Sequence, residues 1–366
     1  MVAEIFHPGE FIREEIEARG WTQADLASIM GRPIQVVNQI LNGYKSVTSR
    51  TATELAAAFG TSAEIWLNLQ TAYSLSLENV DATAIEKKAH LYKIAPIKIM
   101  QKRVWIKKTN DLAELEAELC RFYETKSLDT APSLRIAART SAKPTPDVIV
   151  AQTAWGYRVR GLAKSLQASK FNKDKVKANL KELLNLAAYP EETRKVPRIL
   201  AAMGIRFVVV EHLPKTRLDG AALDLDGCPV IGISLRFDRI DHFWHTLLHE
   251  LSHILNNENM LDADIKEESI GNDALVETRA NNDAAGMLIP QEKLNSFIAR
   301  VSPLYSEGRI NQFARIVGVH PGIVVGQLKH KGEIGWNKNC DMQVPIREIV
   351  IQEALTDGWG KIISTN

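Results

Sequence analysis

The sequence predicts an α+β protein of more than one domain, in which an all-helical N-terminal bundle precedes a region with a small β-sheet. The chain has 366 residues, which at roughly 100–200 residues per domain suggests two or three domains. Short helical segments occupy residues 8–77, whereas β-rich runs begin at Ile205. Apolar residues make up 45% of the chain and charged residues 24%, the balance of a globular protein rather than a disordered one.

The N-terminal bundle, residues 1–77, is predicted to contain five short helices. Each of the first four is followed by a glycine, the residue that most often ends a helix: Gly20, Gly31, Gly43 and Gly60. The second and third helices, near residues 23–30 and 33–42, are separated only by Gly31 and Arg32. This arrangement predicts a helix-turn-helix.

The third helix carries the side chains expected to contact DNA. Gln35, Asn38 and Gln39 lie away from its apolar side, and Gln and Asn pair with adenine edges in the major groove. Arg32 and Lys45 are expected to contact phosphates. We therefore predict that this bundle binds operator DNA as a dimer.

Charge is unevenly distributed, although the formal net charge of the chain is only +1. Residues 1–76 are net −3, residues 86–108 and 158–198 are each net +7, and residues 241–283 are net −8. Because nucleic-acid binding normally needs a positive surface, the first value leaves protein binding as the alternative role of the bundle. The basic stretches are either solvated helix faces or nucleic-acid contacts.

The other regions are less clearly marked. Residues 78–110 show no clear period and look like a linker, and helices follow, so residues 78–198 are predicted to be a linker and helical region. Residues 331–366 form a mixed C-terminal segment. Three distant cysteines without a CxxC pair fit a reducing cytosol. With no apolar run of about 20 residues and no signal-like N-terminus, we expect a cytoplasmic protein without a membrane partner.

A metal-binding motif lies in the third region, residues 199–330. His249 and His253 are separated by one helical turn and share a face of the helix predicted near residues 241–255. Two imidazoles at this spacing bind one Zn²⁺, and Glu250 beside them can take a proton from water as general base. Because the motif follows a predicted hairpin and has apolar flanks, we favour a zinc-dependent peptide hydrolase over a charge-satisfied core.

A catalytic zinc site needs a third protein ligand, and spacing alone leaves that ligand open. Glu277 lies on the next predicted helix, with Asn281 one turn further on the same face. Asn281 suits a residue that holds the outer N–H of a ligating histidine. Competing acids of similar spacing are Glu258, Glu267 and Glu268.

Two further histidines and the hairpin are candidates for the same site. His245, one turn before His249, is an extra ligand, a transition-state donor or a packed residue. His320, in a turn before a helix, is either structural or an oxyanion stabiliser. The edge strand of the hairpin, around Asp226 and Gly227, either binds an extended peptide by β-augmentation or simply forms a tight turn.

Two parts of the chain resemble known families. Residues 8–77 resemble the HigA-type antitoxin branch of the XRE helix-turn-helix family, on the segments GRPIQVVN (31–38), LNGYK (41–45) and GTSAEIWLNLQ (60–70). Residues near 200–290 resemble the ImmA/IrrE family of metallopeptidases, on FWHTLLHELSHIL (243–255), ETRAN (277–281) and MLIP (287–290). The segment HPGIVVG (320–326) resembles the tail of the fused form, and residues 78–198 are not explained.

The second resemblance implies a zincin-like fold of the gluzincin type. It implies His249, His253 and Glu277 as zinc ligands and Glu250 as the general base. Relatives cleave repressors that carry helix-turn-helix domains and so relieve repression of transcription. The chain departs from the usual pattern at three positions, which leaves the shape of the pocket and the substrate open: His245, Ser252 and Asp283.

We therefore predict a cytoplasmic transcription regulator of the toxin–antitoxin type with two linked functions. The helix-turn-helix binds operator DNA, and the zinc domain cleaves a repressor or antitoxin protein, or the chain's own linker. One alternative is a non-proteolytic HigA-like antitoxin whose zincin fold is a sensor or a surface that binds a cognate toxin. The other is a stand-alone protease whose helix-turn-helix only recruits the substrate.

Overall fold

The computed structural model describes residues 6–77, 82–134, 145–256, 270–361 and 363, with side chains of α13 (Ile270–Leu288) from residue 274 onward. The chain divides into two compact units, Met1–Ile85 and Glu86–Asn366. Within the described residues no helix is long and apolar enough to cross a membrane. All three cysteines are free thiols.

The smaller unit is helical throughout its described part. Its helices are α1 (Pro8–Ala18), α2 (Gln23–Ile29), α3 (Ile34–Leu41), α4 (Ser49–Phe59) and α5 (Ala63–Leu77), and α6 (Ala82–Ile94) begins in it. The Thr22 hydroxyl accepts a hydrogen bond from the Asp25 amide, and the Asp25 carboxylate accepts one from the Thr22 amide, so α2 has a capping box. Buried Leu26, Leu41 and Leu55 form part of its core. The predicted N-terminal helix-turn-helix bundle is thus confirmed.

The larger unit surrounds a small sheet with helices. The helices that follow α6 are α7 (Ile97–Lys102), α8 (Leu112–Phe122), α9 (Pro146–Ala163), α10 (Lys173–Asn185), α11 (Val196–Met203), α12 (Ile240–Leu255), α13, α14 (Gln291–Val301), α15 (Glu307–Val317), α16 (Pro321–His330) and α17 (Arg347–Glu353). Short 3₁₀ turns occur at Leu186–Ala188, Pro190–Lys195 and Cys340–Met342. The strands are β1 (Arg206–Val210), β2 (Gly220–Leu225), β3 (Cys228–Ile233) and β4 (Leu355–Asp357).

The sheet is mixed, with the strand order β2-β3-β1-β4. β1 pairs in parallel with β3 and β4, whereas β2 and β3 form an antiparallel hairpin. The hairpin turn is made by Asp226 and Gly227, whose φ angles are +54° and +78°. Two positive φ angles are what a tight hairpin turn requires. In the observed strand order, β2 lies at the edge of the sheet. The predicted small β-sheet is confirmed.

Both faces of the sheet are covered, because side chains alternate along each strand. On β1, Phe207 and Val209 pack into the core that contains α11 and α12. Val208 and Val210 point to the opposite face and pack into the core that contains α9 and α8. The sheet therefore lies between two layers of helices and presents α12 on one face.

Residues 78–110, predicted to be a linker, contain both α6 and α7. Leu91, Ile97, Met100 and Trp105 are buried in the core on the α9 side of the sheet. Periodicity did not reveal α7 because it spans only six residues, fewer than two turns, and it did not reveal α6 because that helix buries only Leu91 and Ile94. Residues 86–198 therefore belong to the same compact unit as the sheet.

The C-terminal segment, which the sequence left unassigned, supplies α17 and β4. Asp357 of β4 accepts hydrogen bonds at Oδ2 from Arg158 Nε at 2.6 Å and Trp105 Nε1 at 2.7 Å. The side chains of Arg158 and Asp357 are only 2% and 4% exposed. A buried ion pair thus connects β4 to α9, and the hydrogen bond from Trp105 connects β4 to the loop after α7.

Candidate functional site

α12 is an almost completely buried helix with polar side chains at its centre. It packs against β2, β3, α13 and α16. Its apolar residues Leu247, Leu248 and Leu251 are fully buried, but His249 and Glu250 are each only 1% exposed as well. Burying such groups is unfavourable unless they are paired or bind a ligand.

Three side chains from two helices converge at this centre. The Nε2 atoms of His249 and His253 are 3.0 Å apart. The carboxylate of Glu277 on α13 reaches both rings, with Oε2 at 3.3 Å from His249 and Oε1 at 3.3 Å from His253. One donor atom from each residue lies within 4.8 Å of the others, and among the described side chains these three form the group able to hold a metal. Two imidazoles and one carboxylate match the donors of a catalytic zinc site.

The electrostatics of Glu277 suit a metal ligand. Burial acts to raise the pKa of its carboxyl, but hydrogen bonds and charge interactions with His249 and His253 lower that pKa to about 2. The group is therefore an anion at neutral pH. The acids that competed with it on spacing, Glu258, Glu267 and Glu268, lie outside the described residues.

Glu250 lies beside the start of the edge strand β2. A Cβ atom added to Gly220 would be 3.1 Å from Glu250 Oε1 and 2.7 Å from Thr246 Cγ2. Gly220 is thus needed for close approach and not for an unusual backbone angle. The hydrogen-only side chain lets the strand pass directly beside the carboxylate, a role that the sequence pattern did not reveal.

Two of the three residues at which the chain departs from the ImmA/IrrE sequence pattern contact each other. Ser252 on α12 donates a hydrogen bond from Oγ to Asp283 Oδ2 on α13 at 2.6 Å. Asn256, one turn after Ser252, donates from Nδ2 to Ser252 Oγ at 3.2 Å. The Ser252–Asp283 hydrogen bond ties together the two helices that carry the candidate metal ligands.

The remaining histidine candidates lie outside that group. His245 Nε2 is 3.2 Å from Asn281 Oδ1, so Asn281 contacts this histidine and not the outer nitrogen of a predicted ligand. His249 Nδ1 is buried and has no hydrogen-bond partner among the described residues. His320 is the N-cap of α16, where its Nδ1 accepts a hydrogen bond from the Gly322 amide at 3.1 Å. The structure therefore gives His320 a structural role.

The predicted DNA-contacting residues lie on and around α3 in the smaller unit. Gln35, Gln39 and Lys45 are exposed and Asn38 is half-buried. Arg32 differs, because its Nε pairs with Glu54 Oε2 at 2.5 Å and its side chain is only 16% exposed. Arg32 thus connects the turn between α2 and α3 to α4, and it is less available to a phosphate than predicted.

Comparison with known proteins identifies the smaller unit. A helix-turn-helix family model matches residues 12–66. Virulence-associated protein I of Dichelobacter nodosus is 36% identical over 80 residues, which cover 22% of this chain and 74% of that protein. The uncharacterized HTH-type transcriptional regulator YddM of Escherichia coli K12 is 30% identical over 69 residues, covering 19% of this chain and 73% of that protein.

A solved structure is also similar to part of the chain. It is an addiction module antidote protein of the HigA family from Coxiella burnetii, with 33% identity over 30% of this chain and 100% of that one, and a TM-score of 0.20. The two sequence relatives each share at least 30% identity over more than two thirds of their own length. Through its N-terminal unit, the chain therefore belongs to the XRE-type helix-turn-helix family.

Proposed function

We propose that this protein is a transcriptional regulator that binds operator DNA through α3 and hydrolyses a peptide bond at a zinc site in its larger unit. One observation carries the second part: His249, His253 and Glu277 converge in a buried site with Glu250 next to the first histidine. A helix-turn-helix that presents exposed Gln35 and Gln39 supports the first part. The larger unit is then a zincin-like domain of the ImmA/IrrE type.

His249, His253 and Glu277 would hold the zinc ion. When bound, zinc would act as a Lewis acid that polarises a peptide carbonyl and lowers the pKa of a coordinated water molecule. The Ser252–Asp283 hydrogen bond keeps α12 and α13 together, and so keeps Glu277 against the two imidazoles. In metal sites, hydrogen bonds made outside the ligand set hold the ligands in place, and this contact would have that role here.

Glu250 would act as the general base. Its carboxylate takes a proton from the attacking water and later delivers it to the leaving amine. The edge strand β2 passes beside that carboxylate at Gly220, so a peptide added to this edge would lie next to the base. Main-chain hydrogen bonds to the edge strand would hold such a peptide extended.

The proposed substrate is a repressor or antitoxin protein, or a segment of this chain itself. The relative YddM is an HTH-type transcriptional regulator, and the segments of residues 31–70 resemble HigA-type antitoxins. We accordingly place the protein in the cytoplasm, as a homodimer on operator DNA, with a cognate toxin as a further partner.

The metal content of the purified full-length chain tests the site. We expect about one zinc per chain in the wild type and almost none in His249→Ala or Glu277→Ala, because each removes one of three ligands. His330→Ala and Glu292→Ala, which change residues outside the ligand group, are matched controls that should keep the metal. Wild-type protein that takes up no zinc, even after zinc is added, would reject the peptidase proposal.

The alternative is a non-proteolytic antitoxin in which the zincin fold senses a signal or binds a toxin. It is favoured by the fact that the family model matches residues 12–66 and that the two sequence relatives cover only 22% and 19% of this chain. Glu250→Gln separates the two, because removal of a general base slows cleavage by about 10²–10⁴-fold and leaves the ligands in place. New protein N-termini in cells that express the wild type or the variant provide the measurement. Identical sets of termini would support the antitoxin.

A further inference from the structure

A cavity of about 590 Å³ opens beside the metal-binding group, and the proposed catalytic steps do not use it. Its walls come from the segments that precede β2 and α12, from the first turns of α12, from the second half of α13, and from α16. Two of its lining residues are one helical turn from predicted ligands: His245 precedes His249 on α12, and Asn281 follows Glu277 on α13. If a peptide bond of the substrate lay at the metal, the side chain of an adjacent substrate residue would therefore reach this cavity.

The charges that line the cavity are mainly positive. The two acidic side chains are already compensated. Asp219 Oδ1 is 2.9 Å from Arg236 and 3.3 Å from His242, while Asp241 Oδ2 is 2.7 Å from Arg239. Each carboxylate thus has a guanidinium partner of its own.

Two further basic residues at the cavity have no carboxylate partner in the part of the chain that the structure describes. They are Arg217, before β2, and Lys331, directly after α16. The ammonium of Lys331 donates a hydrogen bond to the neutral side-chain amide of Asn295, at 3.3 Å. Both side chains are exposed, so an incoming group can reach them. The cavity thus has two more basic than acidic side chains, without counting its histidines.

The rest of the lining suits a side chain of moderate size. Ala285, Leu288 and Ile323 provide apolar wall, and the exposed ring of Phe237 lies at the rim under the guanidinium of Arg236, 4.2 Å away. A mostly apolar pocket with a few convergent charges orients its ligand through those charges.

We propose that this cavity receives an acidic side chain, Asp or Glu, of the peptide substrate next to the bond that is cleaved. The inference rests on the peptidase function proposed above. Arg217 and Lys331 recognise the carboxylate by charge-assisted hydrogen bonds, and the compensated Asp219 and Asp241 do not repel it. A basic side chain is disfavoured by the same surplus of positive charge.

Binding to the full-length Glu250→Gln variant tests the inference without the need for turnover. The probes are three capped pentapeptides, acetyl-Ala-Ala-Xaa-Ala-Ala-amide, with Glu, Gln or Lys at the central position, and affinity is measured by isothermal titration calorimetry. We expect the Glu peptide to bind about tenfold more tightly than the Gln peptide, since hydrogen bonds to charged groups are the stronger ones. The Lys peptide should bind most weakly.

The double variant Arg217→Gln/Lys331→Gln should remove the preference for Glu, and Arg315→Gln, an exposed arginine on α15, should keep it. Equal affinities for the Glu and Gln peptides, or a preference that survives the double variant, overturn the inference. So does the absence of saturable binding of the Glu peptide. If the preference is present but wild-type protein shows no cleavage above Glu250→Gln, the acidic-peptide site stands and the peptidase function is rejected.

Discussion

α3 and α12 carry the two candidate functions of this protein, and they differ in exposure. On α3 the side chains of Gln35 and Gln39 are exposed, as a surface that contacts another macromolecule must be. On α12 the side chains of His249 and Glu250 are 1% exposed. An exposed polar residue is satisfied by water, whereas a buried one needs a partner from elsewhere in the fold. The function of α12 therefore depends on α13 and β2 in a way that the function of α3 does not.

Ion pairs show the same difference. In the smaller unit Arg32 pairs with Glu54, and the two side chains are 16% and 21% exposed. In the larger unit the side chains of Arg158 and Asp357 are 2% and 4% exposed. The loss of one partner should matter far more in the buried pair, because the other charge is left without water.

The largest expected effect is therefore on stability in the larger unit. Asp357→Ala leaves the buried Arg158 guanidinium without its carboxylate and should lower the free energy of unfolding by about 3–5 kcal/mol. Glu54→Ala is the matched change in the smaller unit and should lower it by about 1 kcal/mol or less. Urea denaturation followed by tryptophan fluorescence measures both. Similar losses in the two variants would contradict the contrast between the units.

A smaller effect is expected at the contact between β2 and the proposed base. Gly220→Ala places a Cβ within 3.1 Å of Glu250 Oε1, so it should move the carboxylate and reduce cleavage by about tenfold to a hundredfold. The zinc content should stay the same, because no ligand changes. Gly161→Ala is the control, since a Cβ there meets no atom within 4 Å. Unchanged cleavage in Gly220→Ala would show that the strand does not position Glu250.

The smallest effect is expected at the exposed helix. Gln35→Ala and Asn38→Ala should each weaken binding to an operator selected from a random duplex pool by about tenfold, since one good base contact is worth about 1–3 kcal/mol. Asn68→Ala, an exposed amide on α5, should leave the affinity unchanged. Titration by fluorescence anisotropy provides the affinities. Operator affinity that is equal in all three variants and the wild type would leave the bundle as a protein-binding module.

The helices of the smaller unit and the central hairpin could be predicted from the sequence. Gly31 and Gly60 mark helix ends, and Asp226-Gly227 marks the turn between β2 and β3, because these signals act over a few neighbouring residues. The short α7 and the three-residue β4 were missed. Neither is long enough to show a period, and each is stabilised by contacts with distant segments, such as those of Asp357 with Trp105 and Arg158.

The sequence by itself determined that His249 and His253 share one face of a helix beside Glu250, because residues one turn apart must do so in any α-helix. Only the tertiary structure decided that Glu277 reaches both imidazoles, that Asn281 contacts His245, and that a basic cavity lies one turn away. Local backbone geometry is set by neighbours along the chain. Contacts between helices depend on how the layers pack around the sheet, and spacing along the sequence does not specify that packing.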